Sequence, residues 1–152
     1  MFRLDGKTAL VTGASGGIGG AIARALHAQG ATVVLSGTRE SVIQQQAEEL
    51  GQGRAFHVAA NLSDADAADT LIARAEECAG ASLDILVNNA GLTRDTLALR
   101  MKDADWNQVL DVDLAAPFRL SRAALKGMLR RRAGRIINIS SIVGTTGNAG
   151  QA

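Results

Sequence analysis

At 152 residues, 47% of them hydrophobic and 20% charged, the chain has the length and composition of one globular domain with a buried core. Its formal charge of +1 gives no reason to expect nucleic acid or an anionic membrane as a partner, and no apolar run approaches the ~18 residues that a spanning helix requires. Cys78 is the single cysteine, which excludes an internal disulfide; with no signal-peptide pattern in the opening MFRLDGK, the cytoplasm is the expected compartment.

Apolar segments of two periods alternate along the chain. TALVT (Thr8 to Thr12) is a short, nearly continuous apolar run, the pattern of a strand covered on both faces. GASGGIGG follows and leads into a helix on which Ile18, Ala21, Ile22, Ala25 and Leu26 share one face, with Gly30 as its stop. ATVVLS is the second strand. Ser41, with Gln44 three residues on, has capping-box spacing and opens a helix ending at Leu50-Gly51. RAFHVAA is the third strand, and Ser63 with Asp64 and Asp66 starts a helix whose apolar face carries Leu71, Ala75 and Cys78. LDILVNN is the fourth strand. A long helical region from Asp103 to Arg132 places Trp106, Val109, Leu110, Leu114, Phe118 and Leu125 at helical spacing, with Pro117 imposing a kink or a fresh first turn. RIINIS is the fifth strand, and the glycines after it read as a loop.

Strands separated by helices need crossover connections and therefore run parallel, with helices on both faces. The expected fold class is α/β, a doubly wound, Rossmann-like parallel sheet, forming a single dinucleotide-binding domain over residues 1–152 whose C-terminal part is missing after the fifth strand.

The turn between the first strand and the first helix holds Gly13, Gly17 and Gly19 at G-x-x-x-G-x-G spacing. Helix N-termini bind diphosphates through unpaired N–H groups, and glycines let the backbone come close. A tight turn that binds nothing is the plain alternative. Thr12-Gly13-Ala14-Ser15-Gly16-Gly17-Ile18-Gly19 resembles the cofactor motif of the short-chain dehydrogenase/reductase family, and Asn88-Asn89-Ala90-Gly91, directly after the fourth strand, resembles that family's N-N-A-G motif. The resemblance runs from Leu4 to the last residue. It implies a nicotinamide dinucleotide held by Gly13, Ser15, Gly16, Gly17, Ile18 and Gly19, with the backbone of Asn89, Ala90 and Gly91 beside it and Asn88 steadying the sheet. Asn88 and Asn89 could also merely satisfy loop backbone groups.

In dinucleotide folds an acid at the end of the second strand bonds the ribose 2′-OH and selects NAD. Here Ser36-Gly37-Thr38-Arg39 stands there, and no carboxylate appears until Glu40. A hydroxyl on Thr38 and a guanidinium on Arg39 suit a 2′-phosphate, so the expected cofactor is NADP(H); the alternative makes Arg39 a solvated first-turn residue. Asn61 and Leu62 fall where family members touch the adenine, though Asn61 could equally cap the next helix.

The resemblance further implies that Ser141 hydrogen-bonds the substrate carbonyl. Asp113 stands where the family usually has a relay asparagine; an ionised carboxylate accepts but cannot donate, so it is either a relay member or a helix-stabilising acid. Arg130, Arg131, Arg132 and Arg135 either complement the helix C-terminus or dock an acidic carrier protein, Arg132 being the best match and Arg131 its neighbour. His27, off the apolar face, and His57, in a strand, have no partners at metal-ligand spacing, and no metal site is expected. Cys78 reads as a small core residue.

Carbonyl reduction needs a proton donor, which in this family is a tyrosine with a lysine four residues on. The 152 residues contain no tyrosine. They are expected to be part of a longer protein with that tyrosine shortly after Ala152; the alternative is a non-catalytic dinucleotide-binding module. NNAGLTRDTLALRM, WNQVLDVDLAAPFRLSRAAL and GRIINISSIVGTTGNAGQA most resemble the family's 3-oxoacyl-acyl-carrier-protein reductases. That implies NADPH-dependent reduction of a 3-oxoacyl thioester on acyl carrier protein in fatty-acid synthesis, and a homotetramer packed through the long helix. Acetoacetyl-CoA reductase or another NADP-dependent carbonyl reductase is the alternative within the enzymes.

Overall fold

The computed structural model describes residues 3–51 and 53–151; Met1, Phe2, Gln52 and Ala152, and with the first two the start of the segment searched for a leader, lie outside the described residues. In chain order the elements are β1 (Thr8–Val11), α1 (Gly17–Ala28), β2 (Thr32–Gly37), α2 (Glu40–Leu50), β3 (Ala55–Ala59), α3 (Ala65–Ala79), β4 (Ile85–Asn88), α4 (Asp103–Leu110), a π-helical segment (Asp111–Ala115), α5 (Ala116–Arg131), β5 (Arg135–Asn138) and α6 (Val143–Thr146), with a single 3-10 turn at Ala98–Arg100. Among the described residues no helix is long and apolar enough to cross a membrane.

The strands are apolar because both of their faces are covered. Leu10, Val34 and Leu86 stand side by side in register and point to one face, where they meet Leu71, Ile72 and Ala75 of α3 and Leu120, Ala124 and Met128 of α5. Ala9, Val11, Val33, Leu35, Ile85 and Val87 alternate to the other face, against Ala23 of α1 and Ile43 and Ala47 of α2. The sheet is parallel throughout, in the order β3-β2-β1-β4-β5. This is the doubly wound, Rossmann-like arrangement. The direction of winding reverses between β1 and β4, and loops leaving their carboxyl ends splay apart there to form a crevice.

Several local expectations are corrected. Ser41 caps nothing: α2 already starts at Glu40, and the carbonyl of Arg39 accepts from the amides of Val42 and Ile43. Asp64, not Ser63, caps α3, its carboxylate accepting from the Asp66 amide at 3.0 Å. Helix α1 buries Gly19, Gly20, Ala23 and His27 rather than Ile18, Ala21 and Ala25, because small residues let its first turn lie against the sheet; His27 is only 6% exposed. Cys78 is exposed, with its thiol near the His57 carbonyl, since β3 is an edge strand and the end of α3 overhangs it. The residues after β5 include one helical turn, α6.

The long helical region departs furthest from a single period. At its centre the Ala116 amide donates to the Asp111 carbonyl, five residues back, so one residue is looped into a π turn. Pro117, which has no N–H to give, then occupies the first turn of α5 as a fresh start. The bulge rotates α5, whose buried face is Ala116, Leu120, Ala124 and Met128; Leu114, Phe118, Leu125 and Leu129 face outward.

Candidate functional site

The turn from β1 into α1 leaves no space for side chains where it meets the loop after β4. Gly13 has φ +64°, and a Cβ there would stand 2.8 Å from Ala90 Cα. A Cβ on Gly19 would strike the Gly13 carbonyl and lie 2.9 Å from Ala14 Cα. The first intrahelical bond of α1 runs from the Gly20 amide to the Gly16 carbonyl at 2.9 Å, so the amides of Gly17, Ile18 and Gly19 have no intrahelical acceptor. They form the positive mouth that an anion requires, and Ile18 lies at that mouth, 65% exposed.

A hydroxyl that the sequence reading left outside the site holds this geometry. Thr12, 1% exposed, donates from Oγ1 to the Val87 carbonyl at 3.2 Å and accepts from the amides of Asn89 and Ala90, both at 3.0 Å. Asn89 returns its amide nitrogen to the Thr12 and Gly13 carbonyls at 2.9 and 3.3 Å. Asn88 reaches the other way, donating to Asn138 Oδ1 at 2.8 Å and Ser121 Oγ at 3.3 Å, which ties β4 to β5 and α5. Both asparagines therefore satisfy backbone or side-chain groups, and Asn89 shapes the crevice while doing so. In the sequence Thr12 is the hydroxyl that ends an apolar run and opens the glycine motif.

A cavity of about 420 Å³ opens at the carboxyl ends of the strands. It brings together Gly13, Ser15, Gly16, Thr38, Arg39, Asn61, Leu62, Ala90 and Gly91 and adds Ser36, Gly37, Gln108 and Val112, which the sequence did not single out. Leu62 is 7% exposed and packs in the core. Asn61 accepts from the Ser63 amide at 3.1 Å, a turn of its own rather than a helix cap. Arg39 is exposed to solvent, and its Nη2 donates to the Ser15 carbonyl at 2.5 Å. No carboxylate lines this cavity among the described residues.

A second cavity, about 400 Å³, adjoins it at Leu92 and is walled by Met101, Trp106, Val109, Leu110 and Val143. Asp113 and Ser141 both line it, so the structure gathers these two residues in one place. The π turn carries Asp113, whose Oδ1 accepts from the Leu92 amide at 2.9 Å. Partial burial pushes its carboxyl above the ordinary value of 3.8, against the pull of that bond. Ser141 Oγ accepts from the Val143 amide at 3.3 Å, the start of α6.

The arginine cluster lies at the opposite end of the sheet, where α5 turns into β5. Arg131 donates to the Leu83 carbonyl just ahead of β4, and Arg130 to the Lys126 carbonyl. Arg132 takes the left-handed conformation that ends α5, at φ 52°. Neither histidine lines either of these two cavities. Burial lowers the pKa of His27 below the ordinary 6.5, and its Nε2 has no hydrogen-bond partner among the described residues. No group of three His, Cys, Asp or Glu gathers to hold a metal among the described residues.

The nodulation protein G of Rhizobium sp. (strain N33) is 58% identical over 152 residues, 99% of this chain and 61% of that protein. The 3-oxoacyl-acyl-carrier-protein reductase FabG of Rickettsia conorii is 52% identical over 152 residues, all of this chain and 61% of that protein. The chain thus spans about three fifths of the length of these curated relatives. A crystal structure of a metagenomic short-chain oxidoreductase in complex with NADP superposes with a TM-score of 0.90 at 38% identity, covering 98% of this chain and 68% of that one. The family model for short chain dehydrogenases matches residues 7–152, both glycine-bearing loops included. By fold, crevice and sequence alike, the chain belongs to the short-chain dehydrogenase/reductase family.

Proposed function

We propose that this chain is the dinucleotide-binding portion of an NADP(H)-dependent oxidoreductase whose full-length form reduces a 3-oxoacyl thioester on acyl carrier protein. The carrying observation is the first cavity, where a glycine-rich helix mouth meets the Thr38–Arg39 corner with no carboxylate among its lining residues. When bound, the nicotinamide supplies a hydride. The amides of Gly17, Ile18 and Gly19 receive the diphosphate, and Thr38 and Arg39 face the 2′-phosphate. Asn61 and Leu62 border the adenine, and Asn89, Ala90 and Gly91 wall the nicotinamide side.

Ser141 hydrogen-bonds the substrate carbonyl oxygen in the second cavity, whose apolar wall accepts an acyl chain. Asp113 holds the Leu92 amide and with it the rim between the cavities. The proton comes from a tyrosine outside these 152 residues. Arg132 is the docking group for the acidic carrier; Arg131, engaged with Leu83, shapes the corner beside it. The outward row of Leu114, Phe118, Leu125 and Leu129 supports assembly into a homotetramer through the long helical region, chiefly α5. The identity to the FabG reductases supports a place in fatty-acid synthesis and the cytoplasm.

The test is titration of the full-length protein with NADPH and NADH, followed by turnover of 3-oxoacyl-carrier protein against the matched CoA thioester. Tight NADPH binding with preference for the carrier-bound substrate is the expected result. Preference for the CoA thioester moves the assignment to an acetoacetyl-CoA type of reductase, and no affinity for either nucleotide removes the redox reading.

A further inference from the structure

Resting on the nucleotide reading above, we infer that Arg39 is a positioning residue for the glycine turn as well as the group that faces a 2′-phosphate, so that it supports the binding of both nicotinamide dinucleotides. Its guanidinium bonds the Ser15 carbonyl and so bridges the β2–α2 corner to the β1–α1 turn. The two loops also touch here, since a Cβ on Gly37 would stand 3.1 Å from Ser15 Oγ. Arg39 is anchored from its own side too: its carbonyl accepts from the amides of Val42 and Ile43 at 3.1 and 3.2 Å, fixing its backbone at the start of α2.

Two consequences follow from ordinary electrostatics. The Ser15 carbonyl lies one residue ahead of Gly16, the N-cap of α1, and a peptide oxygen in that position opposes an anion held at the helix mouth. A guanidinium bonded to that oxygen offsets its partial negative charge. The fork of N–H donors also outlasts a single bond, leaving others for a phosphate, and it is held in place before any nucleotide arrives. Less side-chain freedom is then lost on binding. The diphosphate is common to NADPH and NADH, so the bridge acts on both, whereas the 2′-phosphate contact acts on one.

The experiment measures dissociation constants for NADPH and NADH by nucleotide fluorescence on the full-length protein and its R39Q and R39K variants, with melting by circular dichroism as the check on folding. R39Q is expected to weaken NADPH by roughly thirtyfold or more and NADH by about threefold to tenfold, the range of one charge-assisted bond to a phosphate and of one hydrogen bond to a carbonyl. R39K keeps the charge without the fork and follows the same pattern at smaller amplitude. NADH affinity unchanged in R39Q while NADPH falls overturns the positioning role and leaves the 2′-phosphate reading standing. Equal losses for the two nucleotides keep the positioning role and sink the 2′-phosphate reading; no loss for either overturns both.

Discussion

The two sides of the β1–β4 crevice are built to different standards of closure. On the β1–β2 side, the strands are buried along nearly their whole length and the connecting turns interlock so closely that a methyl group has no room at Gly13 or Gly19. On the β5 side, the strand is largely exposed, Ile137 and Ile139 are 43% and 42% open, and the outward face of α5 is a row of large apolar groups. A site that must grip one invariant ligand can be finished within its own loops. The β5 side is the edge of a segment that spans about three fifths of the length of its curated relatives, and its strand has a neighbour on one side only.

The largest effect expected from breaking this contrast lies inside α5. Leu120→Ala, at a fully buried position, should cost about 3–5 kcal/mol in denaturant unfolding. Leu129→Ser, 70% exposed and about two and a half turns further on, on the opposite face, should change monomer stability by less than about 0.5 kcal/mol and show itself instead in sedimentation of the full-length protein. Equal losses at the two positions would erase the distinction.

Gly13→Ala should cost roughly 3 kcal/mol, the sum of a left-handed backbone and a methyl against Ala90, and should remove nucleotide binding in the same titration. Thr12→Val keeps the shape but strands the amides of Asn89 and Ala90, which should cost about 2 kcal/mol; Thr12→Ser should restore most of it.

Two pH effects are smaller. The folded state holds His27 neutral, so the unfolded chain binds the proton first, and stability should fall as pH drops from 6.5 toward the lowered folded value. His27→Gln should flatten that part of an unfolding-against-pH curve. Asp113 has the opposite sign: its raised pKa means that the fold disfavours the ionised form, a cost that appears as pH rises through the folded value and is absent below 3.8. Asp113→Asn, which retains an oxygen for the Leu92 amide, should therefore be neutral or slightly stabilising at pH 7, within about 0.5 kcal/mol, and indistinguishable from the parent in acid.

The closed side was also the legible one. Continuous apolar runs such as TALV and ILV announce strands covered on both faces, and glycines between a strand and a helix announce close approach, because each pattern has few other physical causes. The cavity assembled nine of the residues singled out for cofactor contact: Gly13, Ser15, Gly16, Thr38, Arg39, Asn61, Leu62, Ala90 and Gly91. Thr12 escaped because a threonine in a strand looks like any β-branched residue until its hydroxyl has partners. Gln108 and Val112 escaped because they arrive from across the fold. On the open side helical spacing alone does not say which face is buried. Leu114, Phe118 and Leu125 keep helical spacing and look like a core face, yet the core chose the alanines opposite, which let α5 approach α3 and the sheet more closely.

The looped-out residue between Asp111 and Ala115 also sets how this gene can change. Excising a single codon there would let the two helices fuse into one regular spiral with nearly the same phase on either side, because the wider turn absorbs the roughly 100° that one extra residue adds. The packing of α5 on α3 would survive, and the change would fall on Asp113, which rides on the wide turn and would leave the rim it guards. Length in this short stretch is therefore tied to the crevice rather than to the core.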